Sequence, residues 1–225
     1  MNAEAIRSNL LRVRDSLPPG VRLVAVSKYH PAESSLAAYA EGQRLFGESH
    51  VQELQAKRPV LPPDIEWHFI GHLQTNKVKY IAPYVSMVEA VDSLRLLSEI
   101  NRQAGKYERV IDVLLELHIA AEETKYGLTL DACRRLLAEG EWRDMLHVRI
   151  CGLMMMATYT DDVLQIRNEM TTAKKFFDEV KEAYFSDAPY FCERSWGMSH
   201  DYPIACECGS TMVRVGTTIF GERNY

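Results

Sequence analysis

The stretch "VRLVAVSKYHP", Val21 to Pro31, carries the first prediction about the fold. Its apolar residues run almost without a break, which is typical of a strand buried on both faces in a parallel sheet. The run ends at Lys28, whose ammonium group needs a partner, or must lose its proton, if it is held away from water. Because Pro31 suits the first turn of a helix, Lys28 is predicted to lie in a short strand–helix turn.

The rest of the chain repeats this order of strand and helix. The predicted strands are residues 22–27, 44–47, 66–70, 87–91, 110–118, 147–153, 190–195 and 212–215. The predicted helices are residues 1–17, 31–41, 50–58, 76–80, 93–104, 129–138, 163–184 and 202–206. The alternation indicates an α/β protein with a parallel sheet. Eight such units predict a (β/α)8 TIM barrel with an extra N-terminal helix, and a doubly wound open sheet is the alternative.

Composition and charge exclude several classes of protein. The chain carries a net charge of −5, whereas a general nucleic-acid binder shows a basic face. No apolar run reaches the length of a membrane span, and residues 1–17 have the pattern of an amphipathic helix rather than a signal peptide. The five cysteines lack framework spacing, which indicates a reducing cytoplasm. We therefore expect one cytoplasmic domain over residues 1–225, with no nucleic-acid or membrane partner.

No metal site is predicted either. Cys206 and Cys208 lie near His200, but structural zinc sites use cysteine pairs with wider spacing and a second pair elsewhere. His68 and His72 flank a predicted strand end and a glycine, so they do not form a helical metal-binding pair.

In a barrel, functional residues lie at the carboxyl ends of the strands. Several distinctive segments lie at or after the ends of predicted strands: Lys28, Glu48 with Ser49, and residues 70–77, 118–127, 152–158, 195–201 and 213–221. The acidic run at 120–124 is most simply a solvated loop, although its place at the barrel mouth leaves a gating role open. This clustering predicts a site built from the loops at one end of the barrel.

Two basic residues are candidates for that site. A desolvated lysine at the position of Lys28 can attack a carbonyl to form an imine, and the alternative is an ammonium group that simply reaches solvent. Arg214 lies between Val213 and Val215, so strand alternation turns it into the barrel if the valines face the helices. Its buried guanidinium then needs a partner, either an internal acid or a ligand atom.

The last two predicted strands end in segments suited to an anion. Gly216 and Thr217 follow the eighth strand, and Ser199 supplies a hydroxyl after the seventh. Barrels often bind phosphate near these two strands, with backbone amides pointing at the anion. The alternative is an ordinary polar loop. Gly216–Gly221 has P-loop spacing, but Glu222 and Arg223 follow it, so no Walker-type nucleotide site is predicted.

Six segments together resemble the signatures of the pyridoxal phosphate homeostasis proteins, a family similar to the N-terminal barrel domain of alanine racemase. They are "AVSKYHP" (25–31), "FGESHVQEL" (46–54), "WHFIGHLQTNK" (67–77), "GLMMMA" (152–157), "WGMSHDYPIA" (196–205) and "GSTMVRVGTTIFGER" (209–223). The resemblance implies a barrel that carries pyridoxal 5′-phosphate (PLP), with Lys28 as the aldimine lysine and Arg214 facing the pyridine nitrogen. It further implies that Ser199, Gly216 and Thr217 hold the phosphate, and that Asn76 lies near the cofactor ring.

The sequence departs from the family pattern at one point. Relatives often have "GEN" where this chain has Gly47, Glu48 and Ser49, followed by His50. Any role that the family gives to that asparagine is therefore not transferred to this chain.

A carrier is favoured over an enzyme. An arginine does not give up its proton, so it leaves the pyridine nitrogen unprotonated and the cofactor a weak electron sink. A weak electron sink disfavours transamination and fits either racemisation or storage. Racemisation also needs bases on both faces of the substrate carbon. The resemblance implies that alanine racemase takes its second base from a C-terminal domain of a partner subunit, for which a chain ending at Tyr225 leaves no room.

We therefore expect a cytoplasmic protein that holds PLP reversibly and buffers it or delivers it to apo PLP-dependent enzymes, as a monomer or weak homodimer. A PLP-dependent amino-acid racemase and a cofactor-free Schiff-base lyase are the alternatives.

Overall fold

Eight parallel strands form a closed barrel in the computed structural model, which describes residues 2–122 and 126–222. Each strand pairs with its neighbour in the sequence, and β1 pairs with β8 to close the sheet. This confirms the predicted (β/α)8 TIM barrel and rules out the open sheet. The strands are β1 (Arg22–Val26), β2 (Leu45–Glu48), β3 (Glu66–Phe69), β4 (Met87–Val91), β5 (Ile111–Leu117), β6 (Val148–Met155), β7 (Glu193–Ser195) and β8 (Met212–Val215).

Helices follow the strands and cover the outside of the barrel. They are α1 (Ala3–Ser16), α2 (Ala32–Ala40), α3 (Val51–Lys57), α4 (Val78–Ile81), α5 (Leu94–Gly105), α6 (Leu130–Glu139), α7 (Val163–Tyr184), α8 (Tyr202–Glu207) and α9 (Thr217–Phe220). Short 3-10 turns lie at Arg58–Val60, Thr75–Lys77 and Glu141–Asp144. The extra N-terminal helix begins at the Asn2 cap and buries Ile6, Leu10 and Val13.

Most predicted bounds agree with the structure within two residues, and β7 is the exception among the strands. Its predicted start at residue 190 is wrong because the Phe191 amide donates to the Ala188 carbonyl, which makes residues 188–191 a turn. The predicted helix 76–80 is a 3-10 turn followed by the single turn of α4. The helix α9 was not predicted.

Two apolar layers result from the alternation of side chains along the strands. The larger layer lies between the strands and the helices, and the smaller one fills the barrel interior with residues such as Val24, Leu114 and Met212. The interior also contains buried polar side chains: His68, Glu89, Glu116, Ser195 and Arg214. Buried polar groups need hydrogen-bond partners, so we expect these five side chains to pair with one another or with a ligand along the barrel axis.

The acidic run at 120–124 lies partly outside the described residues, so its predicted solvated or gating role stays a prediction. Within residues 2–122 and 126–222, none of the helices combines the length and apolar character needed to cross a lipid bilayer.

Candidate functional site

A cavity of about 680 Å³ opens at the carboxyl end of the barrel strands. Its lining includes Lys28, Ser199, Arg214, Gly216 and Thr217. Five of the six residues predicted for the site therefore line one cavity, although they come from three separate parts of the chain. The volume lies in the range typical of pockets for small ligands and cofactors.

Asn76, the sixth predicted residue, lies elsewhere. It is exposed in the 3-10 turn Thr75–Lys77 and lines a separate surface groove with Arg95 and Glu99 of α5. The structure does not bring Asn76 together with the other five residues. Its proximity to a bound cofactor ring stays a prediction.

The turn after β1 places the Lys28 side chain at the cavity. Lys28 is half-buried, and its Nζ lies 6.0 Å from the centre of the Tyr29 ring. Tyr29 has a φ of 65°, in the left-handed region of backbone conformation that residues other than glycine rarely adopt. The Tyr29 amide donates to Glu53 Oε2 over 2.8 Å, and the His30 amide donates to the Ser27 carbonyl over 3.1 Å. These bonds hold the chain in a strained turn directly beside the lysine.

A buried ionic cluster of Ser27, Glu48 and Lys57 lies beneath this turn, between the sheet and α3. Lys57 Nζ donates to the Ser27 carbonyl over 2.7 Å and to Glu48 Oε1 over 2.6 Å. The Ser27 hydroxyl donates to the same Glu48 oxygen over 2.6 Å. Burial raises the pKa of Glu48 above its ordinary value, although the charge and hydrogen bond of Lys57 oppose the rise. We call this set the outer cluster; it ties the end of β1 to α3.

Arg214 points into the barrel, as the alternation along β8 predicts, and lies at the cavity. Its Nη1 donates to the carbonyl and the hydroxyl of Ser195 over 2.7 and 2.6 Å. Its Nη2 donates to the Met155 carbonyl over 2.9 Å. Three hydrogen bonds thus fix the guanidinium plane where β6, β7 and β8 meet.

Glu89 on β4 balances the charge of Arg214. Its Oε2 lies 3.7 Å from Arg214 Nη1 and accepts a hydrogen bond from the Ser195 hydroxyl over 2.6 Å. Its Oε1 lies 2.6 Å from His68 Nδ1. Burial alone would raise the pKa of Glu89, but the hydrogen bonds and charges of these neighbours outweigh burial and leave the pKa below its ordinary value. Arg214 therefore has an internal ion pair and also borders the cavity. We call His68, Glu89, Ser195 and Arg214 the inner cluster.

Glu116 on β5 is a second buried carboxylate in the interior, with a different environment. It is 3% exposed, and its Oε2 makes no hydrogen bond with any described residue. Burial raises the pKa of Glu116 to about 7; the charge of Arg214 opposes this rise and that of Asp92 adds to it. Glu116 therefore changes its protonation state near neutral pH.

The loops after β7 and β8 form a polar cradle at the cavity wall. The Ser199 hydroxyl oxygen accepts from the amides of Gly216 and Thr218 over 3.1 and 3.5 Å, so two backbone donors converge on one oxygen atom. A Cβ on Gly216 would lie 3.1 Å from the Val26 carbonyl oxygen, which shows how closely the backbone of the two strands approaches there. This closeness favours glycine at the cradle.

The loop that carries Ser199 is itself tightly constrained. Gly197 has a φ of 97°, and a Cβ there would lie 2.5 Å from the Cβ of Ala205. The buried Asp201 carboxylate accepts from the Met198 amide over 2.6 Å. Gly197 and Asp201 therefore fix the position of the Ser199 hydroxyl between them.

The donor set fits the cofactor that the resemblance implies. PLP has a phosphate, which converging amides and hydroxyls can bind, an aldehyde, which a lysine can attack, and a ring nitrogen, which can accept from a guanidinium. The cavity presents one candidate for each group: the cradle of Ser199 and Gly216, the Lys28 amine, and Arg214. By contrast, no group of three or more His, Cys, Asp or Glu residues in the described part of the chain is arranged to hold a metal ion.

Comparisons with known proteins identify the family of this chain. A family model described as the N-terminal domain of alanine racemase matches residues 1–224. The pyridoxal phosphate homeostasis protein of Aquifex aeolicus (strain VF5) is 37% identical, over 91% of this chain and 88% of that protein. The protein of the same name from Bos taurus is 38% identical, over 95% of this chain and 81% of the Bos taurus protein. The chain belongs to the pyridoxal phosphate homeostasis protein family.

Solved structures extend the comparison to the fold. PipY of Synechococcus elongatus PCC7942, solved without PLP, is 36% identical with a TM-score of 0.88, and the match covers 96% of this chain and 100% of PipY. The PipY structure with PLP bound gives a TM-score of 0.85 at 35% identity, with the same coverage. Alanine racemase from Bartonella henselae gives 0.76 at 15% identity, over 99% of this chain and 60% of that enzyme. At that identity the likeness to alanine racemase shows the fold alone.

Ser49 and His50, where the chain departs from the family pattern, lie beside the Lys28 turn. The Ser49 hydroxyl is 3.3 Å from His50 Nδ1, and the His50 ring centre is 5.1 Å from that of Tyr29. Neither residue is part of the cavity lining. His50 therefore contacts the strained turn through Tyr29, and Ser49 contacts His50.

Sequence reasoning missed two acids of the barrel interior and a lysine of the outer cluster. Glu89 and Glu116 each lie within a strand that is otherwise almost entirely apolar, as Arg214 does. The alternation argument used for Arg214 applies to both acids and could have found them. Lys57 ends a short amphipathic helix, and nothing in the sequence distinguishes it from a surface lysine.

Proposed function

We propose that this chain binds PLP reversibly in the cavity at the barrel mouth and buffers it or delivers it to other proteins in the cytoplasm. The observation that carries the proposal is the convergence of Lys28, Arg214 and the Ser199–Gly216 cradle on one cavity. The name shared by the relatives and the PLP bound to PipY support it. In this proposal residues 1–225 act as one cofactor-binding domain.

Each group of the cavity has a separate task in binding. The Lys28 amine would condense with the aldehyde to form an imine, with the aldehyde oxygen released as water, and hydrolysis would reverse the step; the turn at Tyr29 keeps the amine at the cavity. Ser199, Gly216 and Thr217 hold the phosphate through hydroxyl and amide hydrogen bonds. Arg214 donates to the ring nitrogen while its bonds to Ser195 and Met155 keep its plane fixed.

The inner cluster disfavours transamination and fits either storage or racemisation. When PLP is bound to an enzyme, it stabilises a carbanion best if its ring nitrogen carries a proton. Arg214 retains its own proton, and the ionised Glu89 nearby stabilises that charged state. The ring nitrogen therefore accepts a hydrogen bond without becoming protonated, and the cofactor stays a weak electron sink.

Reduction with borohydride tests the assignment of Lys28. The protein is loaded with PLP, reduced, digested and mapped by mass spectrometry, and we expect a pyridoxyl group on Lys28. Lys57 is an internal control, because its amine is buried and bonded to Glu48 and Ser27 and should not be labelled. Lys28→Ala should abolish the adduct. Labelling of Lys77 or Lys125 in place of Lys28 contradicts the assignment; Lys125 lies outside the described residues.

Transfer to a partner tests the delivery role. The loaded protein is mixed with an apo PLP-dependent enzyme, and the enzyme's recovery of activity is compared with the rate of PLP release into buffer alone. Recovery faster than spontaneous release supports direct delivery, whereas equal rates support buffering without it. Sedimentation of the loaded and unloaded protein measures the oligomeric state, which we propose to be a monomer or weak homodimer.

A PLP-dependent amino-acid racemase is the second candidate, because the cavity lining offers side chains that could act as bases. His200 and Tyr159 both line the cavity, with ring centres 5.1 Å apart. Incubation of the loaded protein with L- and D-amino acids in deuterated water distinguishes the two functions. A racemase exchanges the α-hydrogen over many turnovers, and Lys28→Ala abolishes that exchange. A carrier gives no sustained exchange.

A further inference from the structure

The inner cluster extends across the whole barrel interior. Its four members lie on β3, β4, β7 and β8, and all of them are buried. Hydrogen bonds of 2.6 Å connect His68 to Glu89, Glu89 to Ser195, and Ser195 to Arg214. His68 also lines a cavity at the opposite end of the barrel, whereas Arg214 borders the mouth cavity. The cluster is therefore one connected path between the two ends.

We propose that Glu89 is a positioning residue. Through the Ser195 hydroxyl it holds the Arg214 guanidinium in the orientation from which Arg214 donates to the ring nitrogen of PLP in the mouth cavity. The inference deepens the proposed function and rests on it. Glu89 itself is not part of the cavity lining, so it acts through Arg214.

The hydrogen bonds show how this control works. Ser195 donates its single hydroxyl proton to Glu89 Oε2, and its oxygen therefore accepts from Arg214 Nη1. If Glu89 is replaced by a neutral amide, the amide can donate to the same hydroxyl, which then turns away from its present direction. Arg214 would then lose the hydrogen bond from Nη1 to the Ser195 hydroxyl oxygen. It would also lose the negative charge of Glu89, 3.7 Å away.

The charges of the interior point to the same residue. Two buried carboxylates, Glu89 and Glu116, interact electrostatically with Arg214. A buried guanidinium without an ionised partner is strongly unfavourable. Glu89 has both oxygens hydrogen-bonded and its pKa below the ordinary value, so it is ionised at neutral pH, whereas the pKa of Glu116 is about 7. Glu89 therefore supplies the constant counter-charge of Arg214.

The test measures PLP binding and the absorption of bound PLP against pH in Glu89→Gln. Loss of one hydrogen bond to a charged group predicts binding weaker by about 10-fold or more. The pH at which the absorption of bound PLP titrates should also move, because the ring nitrogen would face a guanidinium of changed orientation. A purely structural role of Glu89 would lower stability without moving that titration.

Two further variants make the result specific. Ser195→Ala keeps both charges but removes the bridging hydroxyl, and it should move the absorption titration in the same direction; it also carries the test if Glu89→Gln does not fold. Asp112→Asn is the matched control, since Asp112 pairs with Arg149 at the other end of the barrel. It should leave PLP affinity and the absorption titration as in the wild type.

A double-mutant cycle with Arg214→Gln decides whether Glu89 acts through Arg214. We expect Glu89→Gln to add no further change to PLP affinity in the Arg214→Gln background. Full additivity, or a Glu89→Gln protein with wild-type affinity and titration, overturns the inference. If the wild-type protein does not bind PLP, the proposed function fails and this inference with it. Normal wild-type binding with an unchanged Glu89→Gln protein overturns the inference alone.

Discussion

The outer and inner clusters are both buried ion pairs of one barrel, yet they have different surroundings. In the outer cluster, Lys57 and Glu48 lie between the sheet and α3, and neither lines the mouth cavity. In the inner cluster, Arg214 is equally buried but borders the cavity. Burial and pairing are thus similar in the two places, and access to the cavity distinguishes them.

The comparison shows how to interpret a buried charge in such a fold. The Lys57 amine donates to the Ser27 carbonyl and to Glu48, so it stabilises the turn that places Lys28. Arg214 uses Nη1 and Nη2 for internal hydrogen bonds, and none of the hydrogen bonds among the described residues uses its Nε. One cluster stabilises the backbone beneath the Lys28 turn, and the other places a guanidinium group at the border of the cavity.

The largest effect is expected from removing the cation of the outer cluster. Lys57→Met leaves Glu48 buried beside Ser27 without its counter-charge, and breaking a buried pair in this way costs about 3–5 kcal/mol of unfolding free energy. Chemical denaturation measures this loss. The double variant Lys57→Met/Glu48→Gln removes both charges and should recover part of the stability. Equal losses in the single and double variants would show that the ion pair is not the cause.

The two acids of the barrel interior should respond to pH in opposite ways. The pKa of Glu116 is about 7 in the folded protein against an ordinary value of 4.5, so the folded protein binds this proton more tightly than the unfolded chain does. The resulting stabilisation is complete below about pH 4.5 and is lost as the pH rises through 7. Glu116→Gln should therefore stabilise the protein more at pH 8 than at pH 4.5, by up to about 3 kcal/mol.

Glu89 provides the matched comparison for Glu116. Its pKa is lowered, so its contribution to stability is present above its unfolded pKa and is lost as the pH falls through the folded value. Glu89→Gln should destabilise the protein at neutral pH, and that destabilisation should shrink in acid. Denaturation curves measured between pH 4.5 and pH 8 give the difference in unfolding free energy between each variant and the wild type. The predicted contrast is wrong if this difference changes in the same direction with pH in both variants.

The order of strands and helices could be predicted because each strand is an apolar run that turn residues and a helical pattern follow. Arg214 was found because a charge between two valines must face either the helices or the barrel axis. The turn beside Lys28 could not be found in this way. Its left-handed Tyr29 is held by a bond from its amide to Glu53, a contact between residues 24 positions apart. The position of Asn76 in a separate surface groove could not be predicted either, since a motif does not say which groove its turn borders.

The smallest expected effect concerns Ser199 and Gly216 of the cradle, which belong to neither cluster, so substitutions there test phosphate binding without changing the interior charges. Ser199→Ala removes a hydroxyl that accepts from the Gly216 and Thr218 amides, and PLP should bind about 10–100-fold more weakly, equivalent to about 1.5–3 kcal/mol. Pyridoxal, which lacks the phosphate, is the control ligand, and its affinity should not change. Gly216→Val should weaken PLP binding further than Ser199→Ala does, because its side chain would crowd the Val26 carbonyl and the backbone amides. If Ser199→Ala weakens PLP and pyridoxal equally, the hydroxyl only closes a loop, and the phosphate lies elsewhere in the cavity.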